Sequence, residues 1–124
     1  SENNKIILIY PIPEAGWHVP NKINSQFSKN LIKSKNLKIK KITTSYDIYK
    51  KRTKSSFEML DSLQNQNIFR IYPHKLFCNS EMKNRCITHD DTNIFYADDD
   101  HLSTVGAKLL GNQIVEQIEK FNLK

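Results

Sequence analysis

The chain has 124 residues, 38% of them apolar, and a formal charge of +6. That length supports one domain with a core of its own and is too short for two ordinary ones, so the expectation is a single domain over residues 1–124. The longest apolar run, Ile6 to Tyr10, falls far short of the ~20 residues that span a bilayer, and no signal peptide is visible.

Charge is unevenly placed. Ten of the nineteen Lys and Arg lie between Lys29 and Lys54, and five of the thirteen acids between Asp90 and Asp100. The lysines alternate with Asn, Ser and Ile, without the glycines or aromatic pairs that build a base-stacking platform. With 13 Asn in the chain, a compositional bias accounts for them, and no nucleic-acid partner is expected. A basic module binding nucleic acid or an anionic surface stays open as the alternative function. The first strand-like run begins almost at residue 5, which makes the chain read as a piece of a larger protein.

Lys5 to Tyr10 is a continuous apolar run stopped by Pro11, the pattern of a strand buried on both faces in a parallel sheet. Pro11 and Pro13 then impose a loop leaving the carboxyl end of that strand, where open α/β sheets place their binding crevices. Trp17 and His18 ride on it, with Trp17 either packing or lining a site. Pro20 suits the first turn of a helix with Ile23, Phe27 and Leu31 on one face, ending near Asn36. Leu37 to Thr43 alternates apolar residues with lysines, as a short edge strand does. Thr44 or Ser45 can cap a second helix, Tyr46 to about Asn65, burying Tyr49, Phe57, Leu60 and, less centrally, Met59 and Leu63. Arg52 on it reads as a solvated charge.

Asn67 to Tyr72, halted by Pro73, reads as a second strand; with helices between, it pairs in parallel with the first. A small hairpin follows, with Ile87 and Thr88 on one arm, a turn at His89 to Thr92, and Asn93 to Tyr96 on the other. Ser103 can cap a final helix to about residue 121, with Val105, Leu109, Leu110, Gln113, Ile114, Ile118 and Phe121 as its apolar stripe.

Cys78 and Cys86 enclose a short polar loop. An even count at close spacing suits a disulfide and an oxidising compartment, worth roughly 2.6 kcal/mol by loop entropy. Free thiols are one alternative, and zinc held by His74, Cys78, Cys86 and His89 in a non-catalytic, metal-supported interaction domain is another, although the spacing departs from the usual paired-ligand patterns.

Tyr96 to Ala107, Tyr-Ala-Asp-Asp-Asp-His-Leu-Ser-Thr-Val-Gly-Ala, concentrates the remaining chemistry. An Asp three residues before a His can receive its Nδ1 proton while Nε2 faces outward, the orientation a general base needs. Asp98 and His101 have that spacing, and Asp99 and Asp100 compete for the same role. The plain alternative is three aspartates complementing a helix start, with His101 a surface residue.

This stretch resembles the Asp-x-x-His block that closes the SGNH (GDSL-like) hydrolase fold. More narrowly, it is similar to the SGNH domain fused to membrane-embedded acyltransferase family 3 proteins, which O-acetylate bacterial surface polysaccharides. The loop Tyr-Pro-Ile-Pro-Glu-Ala-Gly-Trp at 10–17 and the segment from Tyr-Pro-His-Lys-Leu-Phe-Cys to Arg-Cys at 72–86 match that subfamily in order and spacing. The resemblance implies the C-terminal part of a three-layer α/β/α, flavodoxin-like SGNH sheet with parallel strands, incomplete without upstream residues. His101 would be the general base of a Ser-His-Asp triad, Asp98 its orienting acid, and Cys78 with Cys86 a disulfide outside the cytoplasm, in a periplasmic or extracytoplasmic domain of a bacterial inner-membrane protein.

The implied activity is ping-pong transfer of an acyl (acetyl) group to a cell-envelope glycan, with the N-terminal membrane acyltransferase domain as partner and no cofactor or metal. The family's Gly-Asp-Ser nucleophile block and oxyanion-hole Gly and Asn do not occur here, so the chain alone is expected to be inactive. His18 stands where relatives are expected to carry an acid, and no role is carried onto it. The incomplete sheet is expected to expose an edge and promote self-association.

Overall fold

The computed structural model of the protein describes residues 4–33 and 40–122. In chain order the elements are β1 (Ile6–Ile9), α1 (Val19–Lys33), β2 (Thr43–Ser45), α2 (Tyr46–Ser62), β3 (Ile68–Ile71), α3 (His74–Phe77), β4 (Arg85–Ile87) and α4 (Thr104–Asn122). β1 and β3 pair in parallel with Ile6 opposite Ile68 and Ile9 opposite Ile71, so the fold is α/β, as the strand–helix–strand order requires. β2 pairs antiparallel with β4, Thr44 opposite Cys86.

Successive residues of a strand point to opposite faces, and this sorts the helices. Tyr10, continuing β1, sends its hydroxyl to Asp61 of α2 at 2.6 Å and receives the Arg70 Nε proton at 3.0 Å. Phe69, the neighbour of Arg70, instead stacks on Phe121 of α4. The parallel pair therefore lies between α2 and α4, giving three layers.

The central core lies around the β2–β4 pair and the loops that meet it. Val19 and Ile23 of α1 join Ile42, Phe77, Cys78, Cys86, Ile87, Phe95 and Tyr96. Phe77 is completely buried, worth roughly 1.5–3 kcal/mol for a side chain of this kind. Cys78 and Cys86 are joined as a disulfide. A second aromatic group, Tyr46, Tyr49, Phe57 and Tyr72, surrounds the ring of His74 on the α2 side, with Tyr10 packed on Phe57 and Tyr72.

Several expectations need correction. The first strand is not covered on both faces: Ile6 is 48% and Ile9 45% exposed, because among the described residues β1 has a neighbour on one edge only. The lysine-rich strand expected over 37–43 is displaced to Thr43–Ser45; residues 40–42 are not strand, and 37–39 lie outside the described residues. Strand pairing here follows the partner Arg85–Ile87, a long way off in sequence, rather than local alternation. α2 stops at Ser62, where Leu63 turns extended, leaving Met59 and Leu63 exposed. α1 buries Ile23 but exposes Phe27, and its expected end near Asn36 lies outside the described residues, as does the side chain of Leu31. On α4, Val105, Leu109 and Ile118 stay exposed while Phe121 is buried. Among the described residues, no helix is long and apolar enough to cross a membrane.

α4 is locked at its start. Ser103 Oγ accepts the Gly106 N–H at 3.2 Å and donates to the Ile94 carbonyl at 2.7 Å, while the Ser103 N–H donates to the Phe95 carbonyl at 2.9 Å. Gly106 is the residue this approach requires, because a Cβ there would lie 2.2 Å from the Phe95 carbonyl oxygen. Gly111, one turn and a half further, has nothing within 4 Å of such a Cβ. Gly106→Ala is therefore expected to destabilise the protein by about 1–3 kcal/mol, and Gly111→Ala to stabilise it by roughly 0.5–1 kcal/mol. Urea denaturation midpoints check this; shifts of the same sign would contradict the packing.

Candidate functional site

The site is a tight loop between two bonded positions. Tyr96 and Leu102 face each other as an antiparallel bridge, and the Ala97 N–H donates to the His101 carbonyl at 2.8 Å. Inside it Asp98 Oδ1 accepts two backbone N–H groups, from Asp100 at 3.0 Å and His101 at 2.7 Å, as Asp does in turns. Its other oxygen, Oδ2, lies 2.9 Å from His101 Nδ1. The aspartates thus complete their own turn rather than the start of α4, whose first turn has no acid and is capped by Ser103. The alternative of an acidic helix start is not what the loop forms.

The electrostatics follow from these contacts. The N–H of His101, then that of Asp100, with the His101 ring adding to them, hold the Asp98 carboxyl well below the usual carboxylate range. His101 is pushed up from its ordinary value, first by the hydrogen bond to Asp98 and then by the charge of Asp100. Asp100 Oδ1 also lies 2.9 Å from Nδ1, but only Asp98 is itself fixed by backbone donors. Asp98 is thus the carboxylate whose position beside the ring is fixed by the backbone, and Asp100 adds charge. The His101 side chain is 77% exposed, and Nε2 makes no hydrogen bond among the described residues.

One oxygen or nitrogen from each of Asp98, Asp100 and His101 falls within 4.8 Å of the others, the one such His/Cys/Asp/Glu group among the described residues. Exposed acidic groups of this kind are common without an ion, and the same three side chains are those in contact at His101 Nδ1. The zinc set considered from the sequence does not assemble. Cys78 and Cys86 are bonded to each other. His89 Nε2 accepts the Ile42 N–H at 3.0 Å and Nδ1 meets the Asp90 carbonyl at 2.7 Å, while burial among aromatic rings pushes the His74 imidazole down.

The loop at 11–19 is docked on the site by backbone bonds that no side-chain motif signals. The Ala15 and Gly16 N–H groups both donate to the Asp99 carbonyl, at 2.8 and 3.3 Å, and the Val19 N–H to the Asp98 carbonyl at 3.0 Å. Gly16 has φ +73°, a conformation that L side chains resist. Tyr96, 2% exposed, donates its hydroxyl to the Pro13 carbonyl at 2.6 Å. His18 caps α1, its Nδ1 accepting the Asn21 N–H at 3.3 Å, the task an acid performs at such a position. Trp17 does both things open to it. It packs on the core and lines a cleft of about 640 Å³ at the carboxyl end of β1.

In the lysine-rich stretch, Lys41 pairs with Glu81, Lys50 with Asp47 at 2.8 Å and Lys54 with Glu58 at 3.8 Å. These exposed pairs contribute little stability, but each places an acid beside a lysine of that stretch.

The α/β chain thus carries an Asp98–His101 contact on a loop whose carbonyls are bonded by the segment that follows β1. Residues 1–116 match the family described as the SGNH domain fused to AT3 domains, and the chain belongs to that family. No curated protein and no solved structure matches it.

The Asp98–His101 bond has a direct test. Asn at position 98 keeps an oxygen for the two backbone donors and removes the charge. The His101 titration midpoint, followed by NMR of its ring protons, is expected above the ordinary ~6.5 in the native chain and to fall toward it in Asp98→Asn. An unchanged midpoint would contradict the pairing.

Proposed function

We propose that this chain is part of an O-acyltransferase domain that moves an acyl (acetyl) group onto a cell-envelope polysaccharide, with His101 as general base and Asp98 as its orienting acid. The observation that carries the reading is the Asp98 Oδ2 to His101 Nδ1 contact of 2.9 Å on an exposed imidazole, in a chain of the SGNH family. A serine supplied elsewhere in the parent protein attacks the donor's acyl carbonyl while Nε2 of His101 takes its proton. The acyl–Oγ bond forms, the bond to the donor's leaving group breaks, and the leaving group departs with that proton. In the second half, a sugar hydroxyl attacks the acyl-serine, again losing its proton to Nε2, and serine regains it as the sugar ester forms.

Asp98 stabilises the imidazolium formed in both halves. Because its contact raises the imidazole, the neutral base exists only above that raised value. Activity should therefore decline as pH falls through it.

No Gly-Asp-Ser sequence occurs in the chain, so the isolated chain is expected to lack esterase activity. The disulfide supports an extracytoplasmic setting, with a membrane acyltransferase domain as the partner in the parent. Exposed Ile6 and Ile9, on a strand that among the described residues has one edge uncovered, support self-association of the isolated chain.

In the parent protein, His101→Ala is expected to lower hydrolysis of p-nitrophenyl acetate on the order of a hundredfold or more. Full retention of that activity would overturn the assignment.

A further inference from the structure

The geometry points to the cleft at the carboxyl end of β1 as a subsite for an acidic sugar unit, one bearing a carboxylate, of the acceptor glycan. This rests on the proposed glycan acylation and names the class of glycan. Open α/β sheets bind ligands in the crevice outside the carboxyl ends of their strands, and this cleft lies there, about 640 Å³ in volume. Its wall at Ala15 and Gly16 is the segment whose N–H groups bond the Asp99 carbonyl. The cleft and the His101 loop are thus joined through one rigid piece of backbone.

The charge of the lining selects the ligand. Lys22, Arg52 and Arg85 reach the cleft from three different elements, against a single acid, Glu14, which pairs with none of them. Arg85 is held in place by donating from Nε to Thr43 Oγ1 at 2.8 Å and from Nη2 to the Thr43 carbonyl at 2.7 Å. Arg52 makes no hydrogen bond or ion pair among the described residues, and its Nη1 lies over Gly16, 3.5 Å from where a Cβ would stand. A guanidinium at a cleft without a partner is suited to a planar carboxylate, which it can meet with two parallel hydrogen bonds.

The cleft also takes in Ser45, the N-cap of α2. The positive end of a 17-residue helix therefore faces the same space. Trp17 offers an apolar ring beside these donors, with Lys22 Nζ 4.2 Å from its centroid. An aromatic surface with hydroxyls and fixed cations is the chemistry that an acidic sugar requires.

Trp17 is the only tryptophan, so its fluorescence reports occupancy of the cleft without any reference to catalysis. The test titrates the chain with trigalacturonate, maltotriose and inorganic phosphate in separate arms at low salt. Trigalacturonate is expected to change Trp17 emission saturably and more tightly than either other probe, with affinity falling as salt is added. Arg52→Gln is expected to weaken that binding on the order of tenfold, the effect of losing a charge-assisted pair. Lys54→Gln, outside the cleft, is expected to leave it unchanged. Arg52 is exposed, and an unaltered urea midpoint in the variant separates lost binding from lost folding.

Equal binding of maltotriose would overturn the acidic specificity, and phosphate binding as tightly as trigalacturonate would overturn the saccharide. An unchanged affinity in Arg52→Gln, or no saturable signal, would overturn the site. His101→Ala is expected to bind trigalacturonate normally, so a failure of the subsite and a failure of the catalytic assignment are read separately.

Discussion

The Asp98 carboxylate holds two backbone N–H groups with one oxygen and an imidazole with the other, and the rest of the site is arranged around that division. The backbone bonds fix the carboxylate without relying on the histidine, so Asp98 can fix the histidine in turn. An imidazole on an exposed loop would otherwise sample many rotamers. Here one ring nitrogen is tied, and the other is presented to solvent. The cost of the arrangement is a raised imidazole, which delays the neutral form to higher pH and in exchange stabilises the cation that proton abstraction creates.

The loop is itself supported from below and from the side. Ser103 and Gly106 seat α4 against the Ile94–Phe95 segment, and the 106 position tolerates no Cβ because the Phe95 carbonyl occupies that space. From the side, the carbonyls of Asp98 and Asp99 accept three N–H groups of the 11–19 loop. Carbonyls bonded by a neighbouring loop leave the backbone little freedom, which suits the orientation the proposed base requires. The same bonds bring Trp17 and the cationic cleft into the assembly. The proposed base and the proposed sugar subsite thus share one backbone seam.

Much of this was readable from residue pattern. The apolar runs stopped by Pro11 and Pro73 become the parallel pair β1 and β3, Ser45 caps α2 as expected of its position, and the close cysteines form a disulfide. The three-residue spacing of Asp98 and His101 allows their contact but leaves Asp99 and Asp100 as competing partners, and in the fold Asp98 and Asp100 both lie at Nδ1. What pattern could not supply has physical reasons. A run of isoleucines records preference for burial but not the number of neighbouring strands, so the exposure of Ile6 and Ile9 was hidden. β2 depends on a partner distant in sequence, which local alternation at 37–43 cannot report. The docking of the 11–19 loop uses main-chain atoms, which every residue has. Arg52 looked like one solvated cation among several on α2, and only the fold places it over Gly16 at a cleft.

The central claim is that Asp98 fixes the proton of neutral His101 on Nδ1, leaving Nε2 as the base. Long-range ¹H–¹⁵N correlation on ring-labelled protein, recorded above the His101 midpoint, measures this directly. The Nδ1–H tautomer is expected, with the Nε2 resonance that of an unprotonated, pyridine-like nitrogen. Protonation of Nε2 in the neutral ring would contradict it, because a histidine in that form donates nothing to Asp98 and carries its lone pair on Nδ1 rather than on the exposed Nε2.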